Sequence, residues 1–167
     1  VSILYPDYAD FRKVSLVAGS MWREVFGKAI EVQYINQEWK GFLASLGQRN
    51  FMLAYAGWLA DYDHPSAFLN NLSCQSALNP SGYCNPAYDE LLNRARHSTS
   101  AKRQLQSYQQ AEQLLAEDMP MIPLYQASAA LLVKPNIGGF AISSLKQIDS
   151  KRLYIRKKPS SQTTAGH

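Results

Sequence analysis

Residues 57–63 read G-W-L-A-D-Y-D, after the apolar run F-M-L-A-Y-A at 51–56 and ahead of H-P-S-A-F-L. The stretch concentrates residue types that can hold a cation. Asp61 supplies a carboxylate, and Trp58, Tyr55 and Tyr62 supply ring faces. An ammonium placed among them is neutralised by the acid and gains a cation–π contribution from the rings. That is binding chemistry. Catalysis by Asp61 and Asp63 as a carboxylate pair is the weaker reading, because residues two apart near a helix start more often serve as one cap and one loop hydrogen-bonder. On residue types alone, a loop aspartate tying strand to helix is the more economical account of Asp61.

The rest of the chain holds no complete catalytic set. His64 precedes a proline, His97 falls near a helix end and His167 is terminal. None belongs to a metal motif such as HExxH, and neither G-x-S-x-G nor a phosphate-cradling glycine loop occurs. Cys74 and Cys84 stand ten positions apart in a segment rich in Asn, Ser, Pro and Gly. If bonded, they contribute about 3 kcal/mol in the chain-entropy model and imply an oxidising compartment. The spacing equally allows two unrelated thiols, and the lack of a CxxC or a second Cys/His pair argues against zinc. No metal or cofactor is expected.

With 167 residues, 46% of them apolar and 18% charged, the chain has the composition of a globular domain with a core. No run approaches the roughly eighteen apolar residues of a membrane span, so insertion of this segment is not expected. The chain opens at Val1 without Met or a leader-like pattern, as expected of a processed product or a piece of a longer one. The net charge of +4 is local: residues 143–167 carry six basic side chains and one acid, leaving −1 on residues 1–142. Without a groove-reading motif or interleaved aromatics, that strip reads as a solvated tail and not as a nucleic-acid surface.

Alternating helices and strands must position Gly57–Asp63. Asp7 or Asp10 can cap a first helix with a wide buried stripe of Phe11, Val14, Ala18, Met21, Trp22 and Val25, stopped by Gly27. Ile30, Val32 and Tyr34 alternate as a strand. Trp39, Phe42, Leu43 and Leu46 then fall on one helical face, and residues 51–56 form the next strand. This order suits two parallel strands with the second helix as crossover, which puts Gly57–Asp63 at a strand's carboxyl end, where ligands of open sheets gather. Asp63, with Pro65 following, can cap a brief helix carrying Phe68, Leu69 and Leu72. Asn85 and Pro86 open a helix with Tyr88, Leu91, Leu92 and Ala95 on one face, and Ser100 opens another with Leu105, Tyr108, Ala111 and Leu115. Residues 119–125 are expected to be extended, since Met119 and Ile122 precede prolines, and A-L-L-V-K-P-N-I-G-G-F at 130–140 reads as a strand and a turn. From about Lys158 the composition is that of a disordered tail.

A wider pattern bears on Asp61. I-N-Q-E-W-K at 35–40, A-G-W-L-A-D-Y at 56–62, P-S-A-F-L-N at 65–70, Y-D-E-L-L at 88–92, Q-A-E-Q-L-L at 109–114, I-P-L-Y at 122–125 and L-V-K-P-N-I-G-G-F at 132–140 follow in the order and spacing of the carboxyl-terminal part of the oligopeptide-binding proteins. That family belongs to the peptide and nickel class of extracytoplasmic solute-binding proteins serving ABC importers. The resemblance covers residues 2–156.

The resemblance implies an α/β fold: the second lobe of a two-lobed, periplasmic-binding-protein-like (type II) architecture, with a mixed sheet flanked by helices. Residues 1–125 would be the second-lobe domain, 126–157 the strands returning toward the first lobe, and 158–167 the tail. It implies a periplasmic, non-enzymatic protein that binds oligopeptides and works with a membrane-embedded ABC importer permease. Asp61 and Trp58 match the family's G-W-x-x-D-Y element, whose aspartate pairs with the peptide's amino group. Gly57 would let the peptide approach the backbone, and Tyr55 and Tyr62 are adjacent contact candidates. Relatives carry basic residues at positions aligned with Phe11, Leu46 and Tyr55, all uncharged here, so recognition of the ligand's carboxylate does not carry over. Cys74 and Cys84 resemble the local disulfide pair of dipeptide-type relatives, which favours a bond. The competing expectations are a lobe that folds without binding, or the same fold holding haem, a murein peptide or a bile-salt-like amphiphile.

Overall fold

The computed structural model describes residues 1–128 and 130–156, and the expected tail from 158 lies outside them. The chain divides into two compact units, residues 1–59 with 65–122, and residues 60–64 with those from 123 onward.

The first unit is built on a parallel sheet of order β2-β1-β3: β1 is Ser2–Pro6, β2 Gln33–Gln37 and β3 Leu53–Ala54. Ser2 to Pro6 pair with Gln33 to Gln37, and Ile3 and Leu4 pair with Leu53 and Ala54. The two strands expected around the crossover helix do run parallel, but they are not neighbours, because β1 lies between them. β1 is not among the elements read from the pattern. The short run Ile3, Leu4 and Tyr5 shows no diagnostic period, and a proline argues against a central strand. Pro6 is tolerated because it is the last residue, with Asp7 N–H taking up the next bond to Gln37 O at 2.8 Å. Ile3, Leu4, Tyr5 and Pro6 are all buried, as a strand covered on both faces must be. β2 starts three residues after Ile30, which precedes the strand along with the buried Val32.

Helix α1, Ala9–Phe26, crosses back from β1 to β2. Its N-cap is Tyr8, without a side-chain bond, so neither Asp7 nor Asp10 caps it; Asp10 sits in the first turn and pairs with Lys13 at 3.6 Å on the surface. Gly27 ends the helix as expected, with φ 57 and its N–H on Arg23 O. The wide stripe is only partly covered: Phe11, Val14, Ala18 and Trp22 are half-buried. Ser15 and Gly19 are buried, whereas Val17, Met21 and Val25 are 58, 59 and 75% exposed. Gly19 permits a close approach: a Cβ there would lie 2.2 Å from Tyr34 Oη. The seam leaves Ser15 Oγ and Tyr34 Oη buried and without a hydrogen-bond partner among the described residues.

Helix α2, Trp39–Gly47, is capped by Glu38, whose carboxylate accepts from Lys40 N at 2.9 Å and Gly41 N at 2.6 Å. Phe42 anchors it at 1% exposure, while Trp39 and Leu43 of the expected stripe stay about half exposed. The strand expected over 51–56 shrinks to β3, continued by one bond from Tyr55 N to Leu4 O at 2.8 Å.

Helices α3 (Ser66–Leu69), α4 (Pro86–His97) and α5 (Ala101–Asp118) share a second core. Tyr88, Leu91, Leu92 and Ala95 of α4 pack with Tyr108 and Ala111 of α5 and with Leu69, matching the face expected for α4 and that expected for α5 except Leu105, which is 52% exposed. Asn85 caps α4 through Ala87 N at 2.9 Å. Tyr88 Oη donates to Leu69 O at 2.6 Å, and burial first, then nearby Tyr83 and acids, push its pKa above the ordinary range.

The loop between α3 and α4 is closed by a Cys74–Cys84 disulfide. Cys74 N donates to Asp89 of α4 at 3.1 Å, and the buried Asn79 side chain donates to Tyr83 O at 2.7 Å. Tyr83 Oη and Asn85 Nδ2 both donate to Asp118 Oδ2 at 2.8 Å, tying the loop to the end of α5. Burial, followed by the Asp118 hydrogen bond, pushes the Tyr83 phenol up to about 12, and the bonds from Asn85 and Tyr83 hold Asp118 below the usual carboxylate range. Met119 corrects another expectation. It is left-handed (φ 47, ψ 48), not extended, and its N–H closes α5 on Leu115 O at 2.9 Å.

In the second unit, β4 (Ile137–Gly138) pairs antiparallel with β5 (Tyr154–Ile155), and Ile142 bridges Ile148. No strand forms over residues 130–134, where one was expected: Leu131, Leu132 and Val133 are exposed and lack an apolar surface to cover. Parallel pairing therefore belongs to one sheet of this α/β chain and antiparallel pairing to another.

Candidate functional site

The five residues expected to bind ligand fall in both units: Tyr55, Gly57 and Trp58 in the first, Asp61 and Tyr62 in the second. In the first unit, the β3–β1 ladder carries Tyr55 to the carboxyl edge of the sheet, where its ring meets Phe11 with centroids 4.8 Å apart. Gly57 is exposed, and a Cβ there would meet nothing within 4 Å, so the protein itself does not require a glycine. Trp58 is 42% exposed, and its orientation is set by Nε1 donating to Ala67 O of α3 at 3.0 Å. The indole is thus partly open to solvent while its polar atom is satisfied.

In the second unit, Asp61 is exposed, and no hydrogen bond or ion pair of its carboxylate occurs among the described residues. The Tyr62 ring stacks on His64 at 6.4 Å, and His64 N donates to Tyr62 O at 2.9 Å. Asp63 does not cap α3 as expected. The cap position is held by Pro65 without a side-chain bond, and Asp63 Oδ2 accepts from Ser144 Oγ at 2.7 Å. The proline fixes its own φ in the helical range, which suffices to start so short a helix.

A row of rings in the first unit was not foreseen. Tyr55 meets Phe11, Phe11 meets Tyr8 at 6.1 Å, Tyr8 meets Trp39 at 6.0 Å and Trp39 stacks on Phe42 at 5.8 Å. Each ring follows the carboxyl end of a parallel strand. Tyr8 and Phe11 open α1 after β1, Trp39 and Phe42 open α2 after β2, and Tyr55 follows β3. The signal was present: two aromatics three positions apart at the start of each helix.

Among the described residues no three His, Cys, Asp or Glu side chains converge on a possible metal position, and no helix is long and apolar enough to cross a membrane. The resolved pKa shifts belong to Tyr83, Tyr88 and Asp118, which brace the helical hairpin and are not among the expected binding residues.

No family model matches the chain. It is 34% identical to the periplasmic oligopeptide-binding protein OppA of Escherichia coli, over 94% of its own length and 29% of that protein's. It is also 34% identical to the probable deoxycholate-binding periplasmic protein YgiS of the same organism, over 92% of this chain and 29% of that one. The solved structure of the Escherichia coli murein tripeptide-binding protein MppA superposes with a TM-score of 0.82 at 33% identity, covering 95% of this chain and 31% of that chain. These relatives are named as binding proteins and not as enzymes, and the 167 residues span about 30% of their length. By sequence and by fold, the chain is similar over nearly its whole length to periplasmic oligopeptide-binding proteins, matching under a third of their length.

Proposed function

We infer that this chain is part of an extracytoplasmic solute-binding component of an ABC importer, one that captures oligopeptides by their amino end and performs no catalysis. In this reading residues 1–125 are second-lobe domain and 126–157 return toward a first lobe; the protein works in the periplasm and hands its ligand to a membrane-embedded permease. Asp61 holds the peptide ammonium, Trp58 walls the site, Gly57 lets the peptide backbone draw near, and Tyr55 and Tyr62 flank it.

The observation that carries the reading is the position of Tyr55, Gly57 and Trp58 directly past the carboxyl end of β3, in a chain similar over nearly its whole length to a protein named for oligopeptide binding. An exposed carboxylate three residues beyond that tryptophan is the charge an ammonium needs.

The test is calorimetry of peptide binding to the full-length natural product. A hydrogen bond to a charged group contributes about 1.5–3 kcal/mol, so Asp61→Asn is expected to weaken binding by roughly tenfold to over a hundredfold. An N-acetylated peptide should bind the wild type poorly and lose little more on that substitution. Equal affinity for free and acetylated peptides overturns the amino-end assignment.

A further inference from the structure

We propose that the row Tyr55–Phe11–Tyr8–Trp39 is a subsite for an apolar or aromatic side chain of the ligand, and that it makes this protein selective for peptides carrying such a residue beyond their amino end. The proposal rests on the peptide-binding reading of Trp58 and Asp61 and adds the ligand's side-chain chemistry.

Three observations carry it. First, the rings sit where a ligand of a parallel sheet lies, since each follows the carboxyl end of a different strand and all belong to one unit. Second, the row is graded. Phe42, at its far end, is 1% exposed and anchors it to the core, while Trp39 and Tyr8 are 48 and 52% exposed and present ring surface outward. A row serving the core alone would bury its members, as Phe42 is buried. Third, the row is continuous with the candidate site, because Tyr55 stands two residues before Gly57 in the chain and its ring is 4.8 Å from that of Phe11.

The geometry selects for rings. The pairs are tilted by 44 to 56° from Tyr55 through Phe11 and Tyr8 to Trp39, so successive faces and edges alternate. A further ring can add to such a series edge to face, the arrangement that aromatic quadrupoles favour. Tyr8 also borders an open depression of about 460 Å³, which leaves room for a side chain beside its ring. The charged groups beside the row include Asp7, Asp10, Arg12 and Lys13 around Tyr8 and Glu38 and Lys40 around Trp39. Lys13 is paired with Asp10, Glu38 caps α2, and none belongs to the row.

The experiment is NMR titration of the 167-residue chain, observing aromatic signals, with Ala-Phe-Ala and Ala-Ala-Ala, each with a free and an acetylated amino end. The phenylalanine peptides are expected to shift the Tyr8, Phe11 and Trp39 ring signals at about tenfold lower concentration than the alanine peptides, as burial of most of a phenyl group implies. That preference should persist on acetylation. Tyr8→Leu and Trp39→Leu should each reduce it, with amide dispersion showing that the variant is folded and the Trp58 signal reporting the rest of the site. Equal response to phenylalanine and alanine peptides overturns the proposal, as does the absence of ring response up to the solubility limit. Binding that ignores acetylation while the ring preference holds overturns the amino-end assignment alone.

Discussion

Helices α1 and α4 lie in the same unit and dispose of their apolar faces in opposite ways. On α4, Tyr88, Leu91, Leu92 and Ala95 are at most 5% exposed; on α1, Val17, Met21 and Val25 are 58% exposed or more. Length accounts for much of the contrast. An 18-residue helix is about 27 Å long, whereas a five-residue strand reaches only about 17 Å. Gly19 already packs on Val32 and Tyr34 at the amino end of β2, so residues 20–26 run past the strands. α4 instead lies along α5, another long helix, and α3 and the disulfide loop cover its start. An apolar stripe reports that a helix has a face to cover, and the length of the neighbouring element decides how much of that face is covered.

The contrast can be broken by truncating one side chain on each helix. Leu91→Ala, in the hairpin core, is expected to cost about 2–5 kcal/mol in urea unfolding. Val25→Ala should change stability by less than about 0.5 kcal/mol. Equal losses would mean that the end of α1 is packed after all. A loss of about 3 kcal/mol, within the range given for Leu91→Ala, is expected from Cys74→Ser with Cys84→Ser, because the closed loop constrains the unfolded chain. Thiol counting under denaturing, non-reducing conditions should find none in the oxidised parent.

The gentlest perturbation is pH, acting on the clasp between loop and hairpin. Asp118 titrates below its ordinary range in the fold, so its contribution is present above that range and lost as pH falls through the lowered value; Asp118→Asn should flatten the acid side of a stability–pH curve. Tyr83, raised from 10.0 to about 12, stabilises fully below pH 10 and loses that contribution between pH 10 and about 12. Tyr83→Phe should reduce the alkaline slope and, because it removes one of the two bonds that lower Asp118, weaken the acid slope as well. Circular dichroism of urea unfolding at a series of pH values reads both.

The hairpin was legible because local chemistry and packing agree there: Asn85 caps, Pro86 follows, and the expected face of α4 meets Tyr108 and Ala111 of the face expected for α5. The disulfide was legible through family resemblance and not through spacing, which left both thiol states open. At β1 the local signal was too short, and the decisive fact, burial on both faces, depends on strands that come later in the chain. Asp63 looked like a cap because Asp, Pro and a helix stood in order, yet the proline starts α3 unaided and the carboxylate takes up Ser144, eighty-one residues away. At Met119 the closure of α5 prevailed over the extended preference of a residue before proline. Of the site, Tyr55, Gly57 and Trp58 could be placed at a strand's end in advance; the ring row could not, because it assembles from three separate strand-to-helix connections.

The position of β1 bears on the order in which the unit assembles. Its two ladders join Ser2 to Gln33 and Ile3 to Leu53, so the central strand precedes both partners and waits across long intervening loops for each. Helices α4 and α5 are joined through Ser98–Ser100 and meet by local contacts. Closing long loops costs chain entropy before any contact rewards it, and topologies rich in such closures fold slowly. The hairpin is therefore expected to gather early in refolding and the sheet late. The edge that carries the rings would be the last part of the unit to acquire its shape, with its aromatic residues open to other chains until β3 docks.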